Sequence, residues 1–164
     1  MSKMIHAMCV GICMLASSPL LAAEAKLPIG AHPDALSFPH FPDRVHAFVW
    51  RNWSLVEAKR LAEVLDTPVE NLVAIATSMG LPQSQPLSPE TTTRAYITIL
   101  RRNWHLLPYE QLLQLLDLSA EELAFSLHED DFLFIKLGSL KPKCAVLRYI
   151  PPTAETSRRA AQIK

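Results

Sequence analysis

The sequence predicts a mainly α fold of the α+β class: tandem duplicated three-helix units, helix-turn-helix-like in rhythm, followed by a small β-hairpin. Three observations carry that expectation. The chain matches itself at an offset of 51 residues, which lays Arg51-Asn52-Trp53-Ser54-Leu55 over Arg102-Asn103-Trp104-His105-Leu106. In both copies apolar residues recur at helical spacing between capping residues. Two runs rich in branched and aromatic residues then flank a loop that contains Gly138.

Size and charge bound the answer first. The chain has 164 residues, 49% of them apolar, with 16 Lys+Arg against 16 Asp+Glu. It is too apolar and too evenly charged for a disordered polyelectrolyte, and too short for a barrel enzyme of about 250 residues. A net charge of zero supplies no long-range pull toward nucleic acid or anionic lipid.

Residues 1–25 read as a secretory signal peptide, because Lys3 and His6 precede an apolar run from Ala7 to Leu15, Ser17-Ser18-Pro19 break it, and Ala23-Glu24-Ala25 offers small residues for cleavage. A membrane span would need about 20 unbroken apolar residues, and Pro19 interrupts them. The expectation is an exported chain, periplasmic or extracellular, with no membrane anchor after cleavage. Cleavage would also remove Cys9 and Cys13, leaving Cys144 without a disulfide partner. Residues 26–42 carry Pro28, Pro33, Pro39 and Pro42 with little periodicity, which reads as a Pro-rich linker or a strap over the surface.

The helical repeat domain with its hairpin spans residues 43–150, with copies over about 44–81 and 89–131. The register of the match extends beyond the Arg-Asn-Trp core: Val45, Phe48 and Val49 fall on Tyr96, Ile99 and Leu100, and Leu61, Leu65 and Asp66 on Leu112, Leu116 and Asp117. Two such units can bury faces that either alone would expose. In the first copy Thr67-Pro68-Val69-Glu70 predicts a capping box with an N1 proline, and Gly80-Leu81-Pro82 predicts the stop. In the second, Ser88-Pro89-Glu90 starts a helix, Pro108 opens the next, and Ser119 to Glu122 is a capping box. The run Ile97-Thr98-Ile99 also permits a strand. The caps Thr67 and Ser119 sit 52 apart while the helix faces sit 51 apart, which predicts a one-residue change in that turn. Residues 132–150 predict the hairpin, from Phe132-Leu133-Phe134-Ile135-Lys136-Leu137 and Ala145-Val146-Leu147-Arg148-Tyr149-Ile150. The tail, residues 151–164, reads as a helix start too short to be stable alone, and so as disordered or as the cut end of something longer.

Chemistry-bearing motifs are weak. The segment Leu61 to Leu72 has helix-turn-helix rhythm, so a tandem helix-turn-helix DNA-binding protein is the alternative reading. A recognition helix needs Lys or Arg for phosphates, however, and Val69 to Met79 offers none, while its counterpart carries Glu121, Glu122 and Glu129. Nucleic acid is therefore disfavoured as a partner. Carboxylates gather at His128-Glu129-Asp130-Asp131, but neighbours in sequence rarely converge on one point, and a glycosidase pair must face each other across about 5–9 Å. No His-x-x-x-His or Cys-x-x-Cys spacing supports a metal, and the glycines are too few for a phosphate loop. No catalytic, metal or cofactor residues are predicted.

Charge is nevertheless segregated. Glu110 to Asp131 holds seven acids and no base, whereas from Lys136 to Lys164 the charged residues are bases apart from Glu155. That pattern fits an acidic helix face beside a Lys-protected sheet edge, or a docking surface for a partner domain. Trp53 and Trp104 are equivalent in the repeat and predicted as core; Trp50 falls on Arg101 and is not explained by the duplication. The residues left to contact a ligand or partner are Trp50, Lys141, Lys143 and Arg148.

His46 to Trp53, Tyr96 to Leu112 and Asp130 to Gly138 with Lys141-Pro142-Lys143 are similar to the N-terminal region of large bacterial proteins that resemble secreted glycoside hydrolases of the hexosaminidase-like and α-glucuronidase-like kind. The resemblance covers about residues 42 to 164. It implies a catalytic barrel after this region, so no catalytic residue is carried onto the chain. The expectation is an exported, non-catalytic accessory or interaction domain whose partner is a downstream or separate catalytic domain and whose ligand is a carbohydrate.

Overall fold

In a computed structural model, residues 26–28, 30, 32–130 and 132–163 are described, and among them the fold is mainly helical with eight helices. The predicted signal peptide, residues 1–25, lies outside the described residues. No helix among them is long and apolar enough to cross a membrane.

Helix α1 (Arg44–Asn52) starts where the Asp43 carboxylate accepts the His46 backbone N–H at 2.9 Å. Burial alone would raise that carboxyl, but the bonds from the His46 ring and backbone outweigh it and hold the group below its ordinary value. Helices α2 (Ala58–Val64) and α3 (Val69–Ser78) follow, then α4 (Pro89–Asn103), α5 (Tyr109–Leu116) and α6 (Ala120–Glu129), with α7 (Leu133–Lys136) and α8 (Ala154–Ala160) completing the order. The run Ile97-Thr98-Ile99 is helical, inside α4.

The α2–α3 turn is a Schellman closure: Asp66 adopts φ 54°, and the Thr67 N–H reaches the Ala62 carbonyl at 3.1 Å. Asp117 at φ 58° closes α5 in the same way, with the Leu118 N–H on the Leu113 carbonyl at 3.2 Å. Because Thr67 belongs to that closure, it does not cap α3. Its hydroxyl instead accepts from the Asn71 amide at 2.8 Å, and Pro68 takes the cap position without a side-chain bond. Consequently α3 and α6 begin 51 residues apart, and the expected one-residue change in the turn is not present. The Ser119–Glu122 capping box forms in full at the start of α6.

The predicted β-hairpin over 132–150 does not form among the described residues; the only ladder element there is an isolated bridge between Asp34 and Lys143. Burial in 133–137 follows a helical turn rather than a pleat, since Leu133 and Leu137 are buried while Ile135 between them is 65% exposed. Residues 145–150 form no strand and are held by the Tyr149 N–H on the Leu65 carbonyl at 3.1 Å and by a side chain. The Gln111 amide donates to the Leu147 carbonyl at 2.6 Å and accepts the Leu147 N–H at 2.7 Å, while also donating to the Val64 carbonyl at 2.8 Å.

Two apolar clusters form the interior. The first gathers α1, α2 and α3 residues with Ile99, Leu106, Leu107, Leu115, Leu147 and Ala160; the second gathers Leu100, Trp104, Leu112, Leu123, Leu127, Leu133 and Leu137. Helix α4 serves both, through the adjacent residues Ile99 and Leu100. Residues 28 and 38–42 lie along these helices: the Tyr109 hydroxyl donates to the Pro28 carbonyl at 3.4 Å, Phe38 and Phe41 pack on the first cluster, and Arg159 of α8 donates to the Pro39, Phe41 and Pro42 carbonyls at 3.0, 2.9 and 3.2 Å. Residues 154–160 are thus a docked helix, ordered by Ala160 in the core and by those three bonds.

Candidate functional site

The structure disperses the four residues predicted to contact a ligand or partner. Trp50, on α1, is 45% exposed and leans on Phe41 with ring centroids 5.6 Å apart. Lys143 is exposed, and its backbone makes the bridge to Asp34. Arg148 is exposed and pairs with Asp66 at 2.9 Å across the α2–α3 turn. Lys141 does not reach the surface.

Lys141 is 2% exposed, a correction to its expected role as a surface contact. Its Nζ donates to the Trp104 carbonyl at 2.9 Å and lies 5.4 Å from the Trp104 ring and 5.6 Å from the Tyr109 ring. Carbonyl and aromatic faces together can hold a desolvated ammonium, as sequence spacing alone could not show. Burial lowers its pKa from the ordinary lysine value, against the opposing pull of Cys144, whose Sγ lies 3.7 Å away. Trp53 and Trp104 are both buried, and the Trp53 indole donates to the Pro82 carbonyl at 2.7 Å.

The described members of the acidic cluster do not converge. His128 pairs with Glu129 at 2.9 Å with both side chains exposed, whereas Asp130 turns to α4 and accepts the Tyr96 hydroxyl; Asp131 lies outside the described residues. Burial first, and the Asp130 contact second, push the Tyr96 phenol up to about 12, so it is a hydrogen-bond donor at neutral pH. Tyr96 borders a groove of about 650 Å³ between α2, α4, α5 and α6, which the exposed Arg60–Asp117 pair (3.1 Å) also lines.

The face that sequence reasoning missed lies on α6 and α7. A groove of about 400 Å³ runs between them, bordered by Leu127, His128, Phe132, Phe134 and Ile135, with Pro28 from the N-terminal stretch. Phe125, Phe132 and Ile135 stand 62%, 71% and 65% exposed. Phe132 also holds φ 57°, a left-handed backbone that is rare for a bulky side chain and costs of order 1–3 kcal/mol. An apolar side chain is thus held in solvent by a strained backbone. The signal in the sequence was the Phe132-Leu133-Phe134-Ile135 run, read there as one strand of the hairpin.

No family model, curated protein or solved structure matches the chain.

Proposed function

We propose that the chain is an exported accessory domain that works by protein contact, with the α6–α7 face docking a carbohydrate-acting catalytic module, either downstream in a longer protein or separate. One observation carries this reading: two large apolar side chains, Phe132 on a strained backbone and Ile135, stand in solvent at a single groove, and Phe125 of α6 is exposed as well. Complete burial of each such side chain by a partner is worth roughly 1.5–3 kcal/mol. Patches of this kind on a small domain mark interaction sites.

Within the same reading, α1–α3 and α4–α6 are duplicated units related by an approximate two-fold axis. Support comes from contacts that are reciprocal: the Asn52 amide donates to Asn103 at 3.0 Å and the Asn103 amide to Asn52 at 2.7 Å, and Arg51 and Arg102 each donate to the other's backbone carbonyl. Residue i meeting j while j meets i is the pattern of an isologous interface. Export and the carbohydrate-acting partner rest on the N-terminal sequence and on the family resemblance.

Affinity capture from the native exported fraction tests the docking face. Wild type is expected to recover a glycoside-cleaving protein, and Phe132→Asp with Ile135→Asp to lose it while keeping the helical circular dichroism; equal recovery by both proteins overturns the reading. The purified chain alone is expected to leave aryl glycosides and polysaccharides intact, and turnover abolished by one carboxylate substitution would overturn its accessory role.

A further inference from the structure

We propose that the groove at the C-terminal ends of α1 and α4 binds a tetrahedral oxyanion, sulfate or phosphate, through Arg51, Arg101 and Arg102. The groove measures about 320 Å³ and is lined by those three arginines and Thr98. Arg51 Nε donates to the Arg102 carbonyl at 2.9 Å, and Arg102 Nη1 donates to the Arg51 carbonyl. These two bonds fix the guanidinium groups side by side. Each uses one of five N–H donors, so most of the donors remain for a ligand. Stacking of the Arg51 guanidinium over the Phe38 ring, 5.2 Å from its centroid, sets one of them further.

The charge there is uncompensated. None of the ion pairs among the described residues includes Arg51, Arg101 or Arg102. Two helix C-termini supply about half a negative charge each, roughly one unit against three positive. Burial, and secondarily the charge of Arg102, lowers the pKa of Arg51 from its ordinary value. A dianion with four acceptor oxygens meets two guanidinium forks from different helices, where a planar carboxylate with two oxygens satisfies only one. The site is independent of the α6–α7 docking face. The groove also has room for a group attached to the oxyanion, so the ion arrives free or as the sulfate or phosphate ester of a small ligand.

The test is NMR titration of the purified full chain with inorganic sulfate, inorganic phosphate and glucosamine 6-sulfate, each against chloride at constant ionic strength. Saturable shifts confined to Thr98 and the arginine Nε–H groups are expected. Arg101→Gln, whose side chain is exposed, is expected to weaken binding about tenfold, and Arg102→Lys, which keeps the charge and loses the fork, to weaken it as well. Tighter binding of the sulfated sugar assigns the ion to a larger ligand, and equal binding assigns it to the free ion; both keep the site. Shifts that match those in chloride, or an Arg101→Gln protein that binds as wild type does, overturn it.

Discussion

Asn52 and Asn103 are fully buried, and each amide bonds to its counterpart and to the carbonyl four residues back, Phe48 for one and Ile99 for the other, at 2.8 and 2.7 Å. A buried amide that loses its partner keeps the whole desolvation penalty, whereas removing both partners removes the penalty with them. Asn52→Ala and Asn103→Ala are therefore expected to cost about 2–4 kcal/mol each, and the double variant far less than their sum. Denaturant midpoints of the three variants decide it, and additive losses would show that the two amides are not coupled. Lys141 gives a second test at this scale, through pH. Its folded-state pKa lies below its unfolded one, so between those values the unfolded chain binds more protons and stability rises with pH. Relative to Lys141→Met, wild type is expected to gain stability as pH climbs through the folded pKa toward the ordinary lysine value. A difference that stays flat across the alkaline range would mean that the ammonium is not desolvated.

The starts of α4 and α6 were legible in the sequence because their determinants are local, whereas the Thr67 box at α3 was lost to the closure of α2. Ser88 accepts the Thr91 N–H at 3.3 Å and Ser119 the Glu122 N–H at 3.1 Å, because a cap needs only residues within one turn of itself. The hairpin was misread because Phe132 to Leu137 and Ala145 to Ile150 suit a strand in composition, and what decided their fate was distant: the second apolar cluster for Leu133 and Leu137, the Gln111 amide for Leu147. The burial of Lys141 and the apolar α6–α7 face were hidden for the same reason, since both depend on which helices meet. Turn chemistry at Asp66 and Asp117 yields the prediction that belongs to this scale. A left-handed residue with a side chain costs about 1–2 kcal/mol, and the ion pairs these aspartates make with Arg148 and Arg60 are exposed and weak. Asp66→Gly and Asp117→Gly are expected to stabilise the protein by up to about 1 kcal/mol each, and Asp66→Ala to destabilise it by a similar amount. Thermal melts that rank alanine above glycine at position 66 would refute the assignment of strain there.

For the whole molecule the question is whether two apolar clusters make one folding unit or two. Several links join them: α4, which places Ile99 in one and Leu100 in the other; α5, which places Leu115 in one and Leu112 in the other and whose Gln111 bonds Val64 and Leu147; and the reciprocal Asn52–Asn103 and Arg51–Arg102 bonds. Helix α8 adds closure, since Ala160 enters the first cluster while Arg159 holds residues 39–42 against it. Either unit opened alone would leave the amide of Asn52 or Asn103, the Leu147 backbone and the apolar flank of α4 unpaired. That penalty makes partial unfolding unfavourable, and the two clusters are expected to unfold together. The two buried indoles allow a direct measurement, because Trp53 reports the first cluster and Trp104 the second. With the exposed Trp50 replaced by Phe, variants that retain only Trp53 or only Trp104 are expected to show fluorescence midpoints coincident with their own circular dichroism midpoint in guanidinium. A fluorescence transition that precedes the loss of helix in either variant would divide the molecule into two domains, and the paired amides would then be a contact between domains rather than part of one interior.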